Sequence, residues 1–215
     1  MERLKDKYRP DSLGDIVGQE STVFLNRWIA NPYSTCFMFY GGPGCGKSST
    51  ARAIAHDLGC FDEYSGMFTV TASELGVDQA RELFGTRLKI RPMLGDGWRV
   101  LVIEELELLS PQCQVYLKVA LEELGKQTVV IATSNSTDKL QPALVERFQS
   151  FKFVNGDTFA DAAKMKLRSI WSSECGNNPA PIGIEILGWV DRKRYSMRVA
   201  IDRMEKMIAK EKSRS

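Results

Sequence analysis

A glycine-rich segment, GGPGCGKSST at residues 41–50, is the feature that most constrains the fold of this chain. It follows an apolar run rich in β-forming residues, TCFMFY (35–40), and it leads into a helical pattern, SSTARAIAHDLG (48–59). Residues 41–48 fit the spacing G-x-x-x-x-G-K-[ST] at every fixed position, in the strand, loop and helix context that the pattern requires. We interpret the segment as a phosphate-binding loop. An ordinary glycine-rich turn between a strand and a helix is the alternative.

The residue types in this loop suit phosphate binding. Glycines let successive backbone N–H groups turn inward around a phosphate, and the start of the following helix adds a partial positive charge. Lys47 would reach the β- and γ-phosphates of a nucleotide, and Ser48 would offer its hydroxyl to Mg²⁺. The nucleotide-binding residues predicted in the loop are Gly41, Gly42, Pro43, Gly44, Cys45, Gly46, Lys47, Ser48 and Ser49.

Apolar runs and helical patterns alternate through the first 155 residues. Continuous apolar runs of this length are typical of strands that are buried on both faces of a parallel sheet. Besides 35–40, such runs occur at 98–105 and 128–135, with weaker ones at 67–73 and 148–153, and helical patterns occupy 77–89 and 110–125. The alternation predicts an α/β fold with a doubly wound parallel sheet.

The strand pattern ends near residue 155. Two long helical patterns follow, at 158–175 and 196–212, around a shorter one near 183–192. We therefore predict an α/β nucleotide-binding domain at 1–155 and a small helical lid domain at 156–215.

Composition narrows the class of protein. Lys and Arg total 29 against 27 for Asp and Glu among 215 residues, so overall charge does not argue for nucleic acid binding. Five scattered cysteines favour free thiols in a reducing compartment over a disulfide framework. The charged N-terminus lacks the apolar run of a signal peptide, and no stretch approaches the roughly 18 apolar residues of a membrane span. We expect a cytoplasmic protein without a membrane partner.

Two acidic residues end one of the buried runs, VLVIEELELL (100–109). Because this run ends at the carboxyl edge of the sheet, Glu104 and Glu105 should lie beside the phosphate-binding loop. Glu104 would belong to the magnesium shell, and Glu105 would orient and deprotonate an attacking water. The alternative is the solvated acidic start of a helix.

Three further polar residues are candidates for the same site. Asn135 follows the run TVVIATS, where an amide can position a water, although Asn is also an ordinary turn residue there. Arg147 in LVERF and Arg198 in YSMRVA carry permanent positive charges that suit the developing charge of a phosphate. Solvated surface arginines are the alternative for both.

These residues, in this order, resemble the AAA+ ATPases, and among them the clamp-loader branch: the small subunits of replication factor C and their phage counterparts. The segment KYRPDSLGDIVGQE (7–20) is similar to the N-terminal box of that branch, which packs on the adenine of ATP. The resemblance thus implies base contacts from Tyr8, Arg9, Pro10, Val17 and Gly18.

The resemblance also assigns roles to the other motifs. The glycine-rich loop matches Walker A and residues 100–109 match Walker B, with ATP and Mg²⁺ as the implied ligands. Asn135 falls at sensor 1 and Arg198 at sensor 2 of the lid. Arg147 falls at the arginine finger, which acts in trans on the ATP of a neighbouring subunit.

Three features differ from the family pattern. Glu104 stands where the family normally has Asp, so its carboxylate reaches one methylene further. The sequence ERF (146–148) replaces the clamp-loader SRC but keeps the arginine. We also expect no collar domain after the lid, whereas clamp-loader subunits carry one.

DNA contacts are predicted for the helical pattern 110–125. It resembles the clamp-loader helix that faces the central channel, and Lys118 falls at a matching position. Arg81 and Arg87 are additional candidates, because phosphate contacts need little more than correctly spaced positive charge. A solvated charged face is the alternative.

The resemblance implies an ATPase motor subunit that assembles with itself or with homologous AAA+ subunits into a ring or spiral. Its task would be to load a sliding clamp or a similar protein onto DNA during replication. Two alternatives remain: a helicase loader or regulator that acts on a protein partner, and a weakly hydrolysing scaffold that depends on ATP.

Overall fold

A five-stranded parallel sheet forms the centre of the α/β part. The structure is a computed structural model, and it describes residues 2–176, 179–181, 183–191 and 193–213. The strand order is β2-β3-β4-β1-β5, and every neighbouring pair is parallel. The strands are β1 (Thr35–Gly41), β2 (Met67–Thr71), β3 (Arg99–Glu104), β4 (Thr128–Ser134) and β5 (Gln149–Phe153). All five apolar runs form strands, and the predicted α/β fold with a parallel sheet is confirmed.

The helices connect these strands and follow them. Their bounds are α1 (Leu4–Lys7), α2 (Ser21–Ile29), α3 (Lys47–Asp57), α4 (Val77–Gly85), α5 (Pro111–Ala120), α6 (Pro142–Val145), α7 (Asp157–Cys175) and α8 (Met197–Lys212). Short 3-10 turns occur at Leu13–Asp15, Arg87–Lys89, Leu106–Leu108, Leu121–Glu123 and Ile184–Ile186. None of the helices in the described ranges combines the length and apolarity that crossing a membrane requires.

Helices cover both faces of the sheet. Side chains of a strand alternate between the two faces, so Met38 packs with α4 and α5 while Phe37 packs with α2 and α3. Strands β3 and β4 are buried almost throughout, as expected of central strands in such a sandwich. Because all neighbouring strands are parallel, their carboxyl ends lie along one edge of the sheet, and α3 begins at that edge.

The predicted helix near 183–192 is wrong for most of its length. Only Ile184–Ile186 form a 3-10 turn, and Trp189 pairs instead with Tyr195 in an isolated antiparallel bridge. A Cβ atom on Gly188 would overlap the Tyr195 ring, so this glycine permits a close approach that a regular helix would prevent. Residue 192 lies outside the described residues.

Helices α7 and α8 share a separate core with the N-terminal segment. Leu4 is buried among residues of α7 and α8 such as Trp171 and Met204, and Tyr8 and Val17 pack against the same cluster. The start of the chain thus contacts the helical part, although it precedes the α/β part in sequence. The division at residue 155 remains a prediction.

Glu174 of α7 ties this N-terminal segment to both long helices. Its carboxylate accepts hydrogen bonds from Lys7 Nζ (2.6 Å), Tyr8 Oη (2.9 Å) and Lys212 Nζ (2.9 Å). The hydrogen bond from Lys7, followed by that from Lys212, lowers the pKa of Glu174 from its usual value of 4.5 to about 2. The ionised carboxylate therefore joins α1, α7 and α8.

We expect Glu174→Gln to lower the stability of the protein near neutral pH, with a difference that disappears in acid. A carboxylate whose pKa is lowered by folding stabilises the folded state above its unfolded pKa, and this contribution is lost as the pH falls from about 4.5 to about 2. Urea unfolding midpoints of the two proteins should converge over that range. Glu123→Gln, at an exposed carboxylate, is the matched control. A wild-type advantage that persists unchanged at pH 2 would contradict the assignment.

Candidate functional site

A cavity of about 790 Å³ opens at the carboxyl edge of the sheet, where the glycine-rich loop, the ends of β3 and β4, the N-terminal segment and α8 meet. Most of the predicted nucleotide-binding and catalytic residues line it. They are Tyr8, Arg9, Pro10, Val17, Pro43, Gly44, Cys45, Gly46, Lys47, Ser48, Ser49, Glu104, Glu105, Asn135 and Arg198. Gly18, Gly41 and Gly42 are outside the lining: Gly18 packs against Phe159, and the other two glycines lie against residues 153 and 155.

The glycine-rich loop is shaped to hold a group at the start of α3. Gly46, with φ of 100°, precedes Lys47, the first residue of that helix. At Gly44, also in the left-handed region, an added Cβ atom would overlap the Ser196 hydroxyl. The missing side chain lets the start of α8 approach, and Met197 N donates to Gly44 O at 3.0 Å. This contact brings Arg198, an exposed residue in the first turn of α8, to the cavity.

Lys47 is the buried cation of the site. Its side chain donates hydrogen bonds to Gly41 O (2.7 Å), Gly42 O (2.8 Å) and Asn135 Oδ1 (3.2 Å). Burial lowers the pKa of this ammonium group from its usual value. Its present partners are neutral oxygens, so a phosphate that entered the cavity would offer it a stronger, charge-assisted interaction.

Glu104 and Glu105 lie at the carboxyl end of β3, as predicted. Glu104 is the last residue of the strand, and the exposed Glu105 has φ of 56°. For a residue with a side chain this left-handed conformation costs on the order of 1–3 kcal/mol, and such outliers cluster at functional sites. The backbone N–H of Glu105 donates to Thr133 Oγ1 (3.4 Å), which helps to hold the conformation.

The sequence profile of the "ATPase family associated with various cellular activities (AAA)" matches residues 37–155, more than half of the chain. The chain belongs to the AAA family of ATPases. The matched range contains the phosphate-binding loop, both acids at the end of β3, Asn135 and Arg147. The prediction of an AAA-type ATPase is confirmed.

The curated relatives of this AAA protein include subunits of replication factor C. The chain is 26% identical to "Replication factor C subunit 3" of Blastobotrys adeninivorans over 79% of its own length and 50% of the relative's. It is 29% identical to "Replication factor C small subunit" of Picrophilus torridus over 79% of its own length and 53% of the relative's. The chain spans about half the length of these relatives. The resemblance to the clamp-loader branch is thereby confirmed.

A solved structure shows the same fold. The Holliday junction branch migration motor RuvB of Thermotoga maritima superposes with a TM-score of 0.71 at 19% identity, covering 95% of this chain and 67% of that one. At 19% identity this structural similarity supports the fold of the AAA ATPase and nothing further.

The cavity of the AAA ATPase fits Mg²⁺ in the way that nucleotide sites usually bind it. No group of three or more His, Cys, Asp or Glu side chains that could hold a metal occurs in the part of the chain that the structure describes. Mg²⁺ is commonly bound by one or two protein oxygens together with phosphate oxygens. Ser48 and Glu104 line the same cavity as Lys47 and would supply those protein oxygens. When bound there, the ion would neutralise charge that develops on the phosphates.

Sequence reasoning missed two residues that support the site. The buried side chain of Gln19 donates to Cys45 O (3.0 Å) and Val154 O (2.8 Å), and it accepts from Val154 N (3.0 Å). It therefore joins the N-terminal segment to the phosphate-binding loop and to the end of β5. Its position directly after Gly18 in the N-terminal box was the available signal.

The other missed residue is Glu107, the third acid in VLVIEELELL. Its Oε2 accepts from Ser134 Oγ and its Oε1 from Asn135 Nδ2, both at 2.7 Å. Burial opposes ionisation, but these hydrogen bonds outweigh it and lower the pKa of Glu107. The sequence places Glu107 three residues after Glu104, close to the end of β3. Its partners at the end of β4 could be seen only in the structure.

Besides the three glycines, the four charged residues predicted to contact a neighbouring subunit or DNA lie outside the cavity lining. Arg147 is exposed and pairs with Glu122. Lys118 lies on α5, and Arg81 of α4 pairs with Asp78 and stacks near the Tyr116 ring of α5, with 5.9 Å from Cζ to the ring centroid. Arg87 pairs with two acids, Glu63 and Glu82.

Proposed function

We propose that this AAA protein is an ATPase subunit that assembles with copies of itself or with homologous subunits and loads a sliding clamp, or a similar ring-shaped protein, onto DNA. One observation carries the proposal: a single cavity collects Lys47, Glu105 and Asn135 of the α/β part with Arg198 of the helical part. A nucleotide in that cavity would contact both parts and so link its own hydrolysis to their movement. The replication factor C names of the relatives favour a clamp as the cargo.

The residues of the cavity divide the chemistry among them. Lys47 would exchange its hydrogen bonds with Gly41 O and Gly42 O for phosphate oxygens. Glu105 would accept the proton of the attacking water, because it is the exposed carboxylate of the pair at the end of β3, and Glu104 would serve as a magnesium ligand. Arg198 would sense the phosphates from α8, so loss of the γ-phosphate would release the helical part.

A role in an assembly is favoured by the position of Arg147. This arginine follows α6 and lies on the surface, outside the cavity of its own chain. A permanently charged guanidinium at a surface is suited to enter the site of a neighbour, where it would stabilise charge on the transferred phosphate.

DNA contact is proposed for the face formed by α4 and α5. These helices pack beside each other, with Arg81 near Tyr116 and Lys118 partly exposed on α5. Helix α5 begins four residues after Glu107, on the same connection from β3 that carries Glu105. Phosphate contacts at Lys118 could thereby shift the catalytic end of β3 by favouring one arrangement of this connection.

We expect primed DNA to stimulate the ATPase rate of the assembled protein, and the stimulation to fall with rising salt, since phosphate contacts release counterions. Lys118→Ala should reduce the stimulation, with the rate without DNA as the internal reference. Lys206→Ala, an exposed lysine of α8, is the charge-matched control and should be stimulated like wild type. The measurement is phosphate release at several salt concentrations.

Two outcomes would contradict the clamp-loading role. An ATPase rate that DNA leaves unchanged at low salt, with candidate partner subunits present, would favour a loader or regulator that acts on a protein. Nucleotide-dependent assembly without phosphate release would favour a scaffold.

A further inference from the structure

The orientation of the Asn135 side chain is fixed from two sides. On one side Asn135 Nδ2 donates a hydrogen bond to the Glu107 carboxylate at 2.7 Å. On the other side Lys47 Nζ donates a hydrogen bond to Asn135 Oδ1 at 3.2 Å. A carboxylate only accepts hydrogen bonds and an ammonium only donates them. Both neighbours therefore demand the same orientation of the amide, with its nitrogen toward Glu107 and its oxygen toward Lys47.

Glu107 is itself well anchored. It lies in the 3-10 turn Leu106–Leu108 that follows β3, and it is partly buried. Its second carboxylate oxygen lies 2.7 Å from Ser134 Oγ, a hydroxyl whose single proton is shared with the nearby carbonyl oxygen of Ser136. The hydrogen bond from Asn135 and this shared one both link the carboxylate to the end of β4, which limits its rotation.

The orientation of the Asn135 amide matters because the amide can form more hydrogen bonds than the two to Glu107 and Lys47. Its NH₂ group has two donors and its oxygen two acceptor positions. Glu107 takes one donor and Lys47 one acceptor position, and within the described part of the chain one of each remains for groups in the cavity that Asn135 lines. An amide that could flip would present either end to a water or a phosphate, and only one orientation would suit hydrolysis.

We propose that Glu107 is a positioning residue that holds the Asn135 amide in the orientation required for hydrolysis, and that its loss slows turnover without weakening nucleotide binding. The proposal rests on the proposed function, ATP hydrolysis in this cavity. Glu107 acts through Asn135 and is not among the residues that line the cavity.

The test compares Glu107→Leu, which removes both acceptors, with Glu107→Gln, whose side-chain oxygen can still accept from Asn135 Nδ2. We expect Glu107→Leu to lower kcat by about 10- to 100-fold, by analogy with the loss of an outer-shell partner that orients a metal ligand. The affinity for ATP should stay at the wild-type level, and Glu107→Gln should recover much of the lost turnover. Thr128→Ala, at the buried opposite end of β4, controls for lost stability and should retain kcat.

A double-mutant cycle separates positioning from a general structural role. If Glu107 acts only through Asn135, the Glu107→Leu, Asn135→Ala double variant should turn over at the rate of Asn135→Ala alone. Independent effects that multiply would overturn the proposal. So would a wild-type kcat in Glu107→Leu, or a loss of kcat that merely follows the loss of folded protein.

A second readout needs neither ATP nor activity. In the nucleotide-free protein, the side-chain NH₂ protons of Asn135, assigned by their absence in Asn135→Ala, should show a downfield, hydrogen-bonded NMR signal that Glu107→Leu removes. An unchanged signal would overturn the anchoring even if the ATPase role holds. A wild type with the anchored signal but no turnover would instead overturn the proposed function. Should Glu107→Leu not fold, Glu107→Asp, which withdraws the carboxylate by one methylene, should show both changes in milder form.

Discussion

Replacing Arg147 with alanine is expected to lower the ATPase rate of the assembled protein by about 10³–10⁵-fold, the effect of removing an arginine that stabilises phosphoryl transfer. The structure gives the reason to expect this effect in trans. Arg147 is exposed, lies outside the cavity of its own chain and pairs with Glu122 on the surface. An exposed ion pair of this kind contributes at most about 1 kcal/mol, so a neighbouring nucleotide site could readily compete for the guanidinium.

Mixing two inactive variants tests the direction of this action. Lys47→Ala removes the buried cation of the cavity and should not bind ATP, whereas Arg147→Ala has an intact cavity. Together they can form one interface in which a sound Arg147 faces a sound Lys47, and phosphate release should partly recover. Arg194→Ala, at another exposed arginine with an acidic partner, Asp191, is the matched control and should retain the basal rate. No recovery at any ratio, with assembly verified, would mean that each site is complete within one chain.

The fold was largely predictable because the strands are buried on both faces. Runs such as residues 128–135 have a continuous apolar centre, VVIA at 129–132, and β4 is buried along its whole length. Helix ends were less predictable. The pattern at 77–89 is interrupted because Gly85 ends α4 and Thr86 leaves the helical region, and residues 87–89 form a separate 3-10 turn. The apolar pattern continues through residues 77–89, so it did not indicate the break between α4 and this 3-10 turn.

The motifs predicted which residues line the cavity, but their supports depend on contacts between distant parts of the chain. Gln19 reaches Val154 across 135 residues, and Glu107 reaches Asn135 across 28. The packing of Leu4 against α8 is of the same kind. A single sequence shows the types of these residues, but only the assembled fold shows which partners their hydrogen bonds and apolar surfaces find.

Glu105→Gln is expected to lower ATP hydrolysis by about 10²–10⁴-fold, the usual contribution of a general base, while ATP binding is retained. The amide is nearly the same size as the carboxylate but cannot take the proton of an attacking water. Glu105 is exposed at the cavity and has a left-handed backbone, with φ of 56°, which the turn after β3 imposes.

The neighbouring acid provides the matched control for this prediction. Glu104→Asp shortens the carboxylate by one methylene but keeps its charge at the end of β3, and it should retain or raise the rate, because a shifted metal ligand is tolerated better than a missing base. Single-turnover phosphate release and the affinity for ATP, measured on both variants, separate chemistry from binding. Full turnover in Glu105→Gln would remove Glu105 from the catalytic role. A much slower Glu104→Asp would show that the longer side chain is the one adapted to this site, and that its carboxylate must reach the position that only glutamate can occupy from the end of β3.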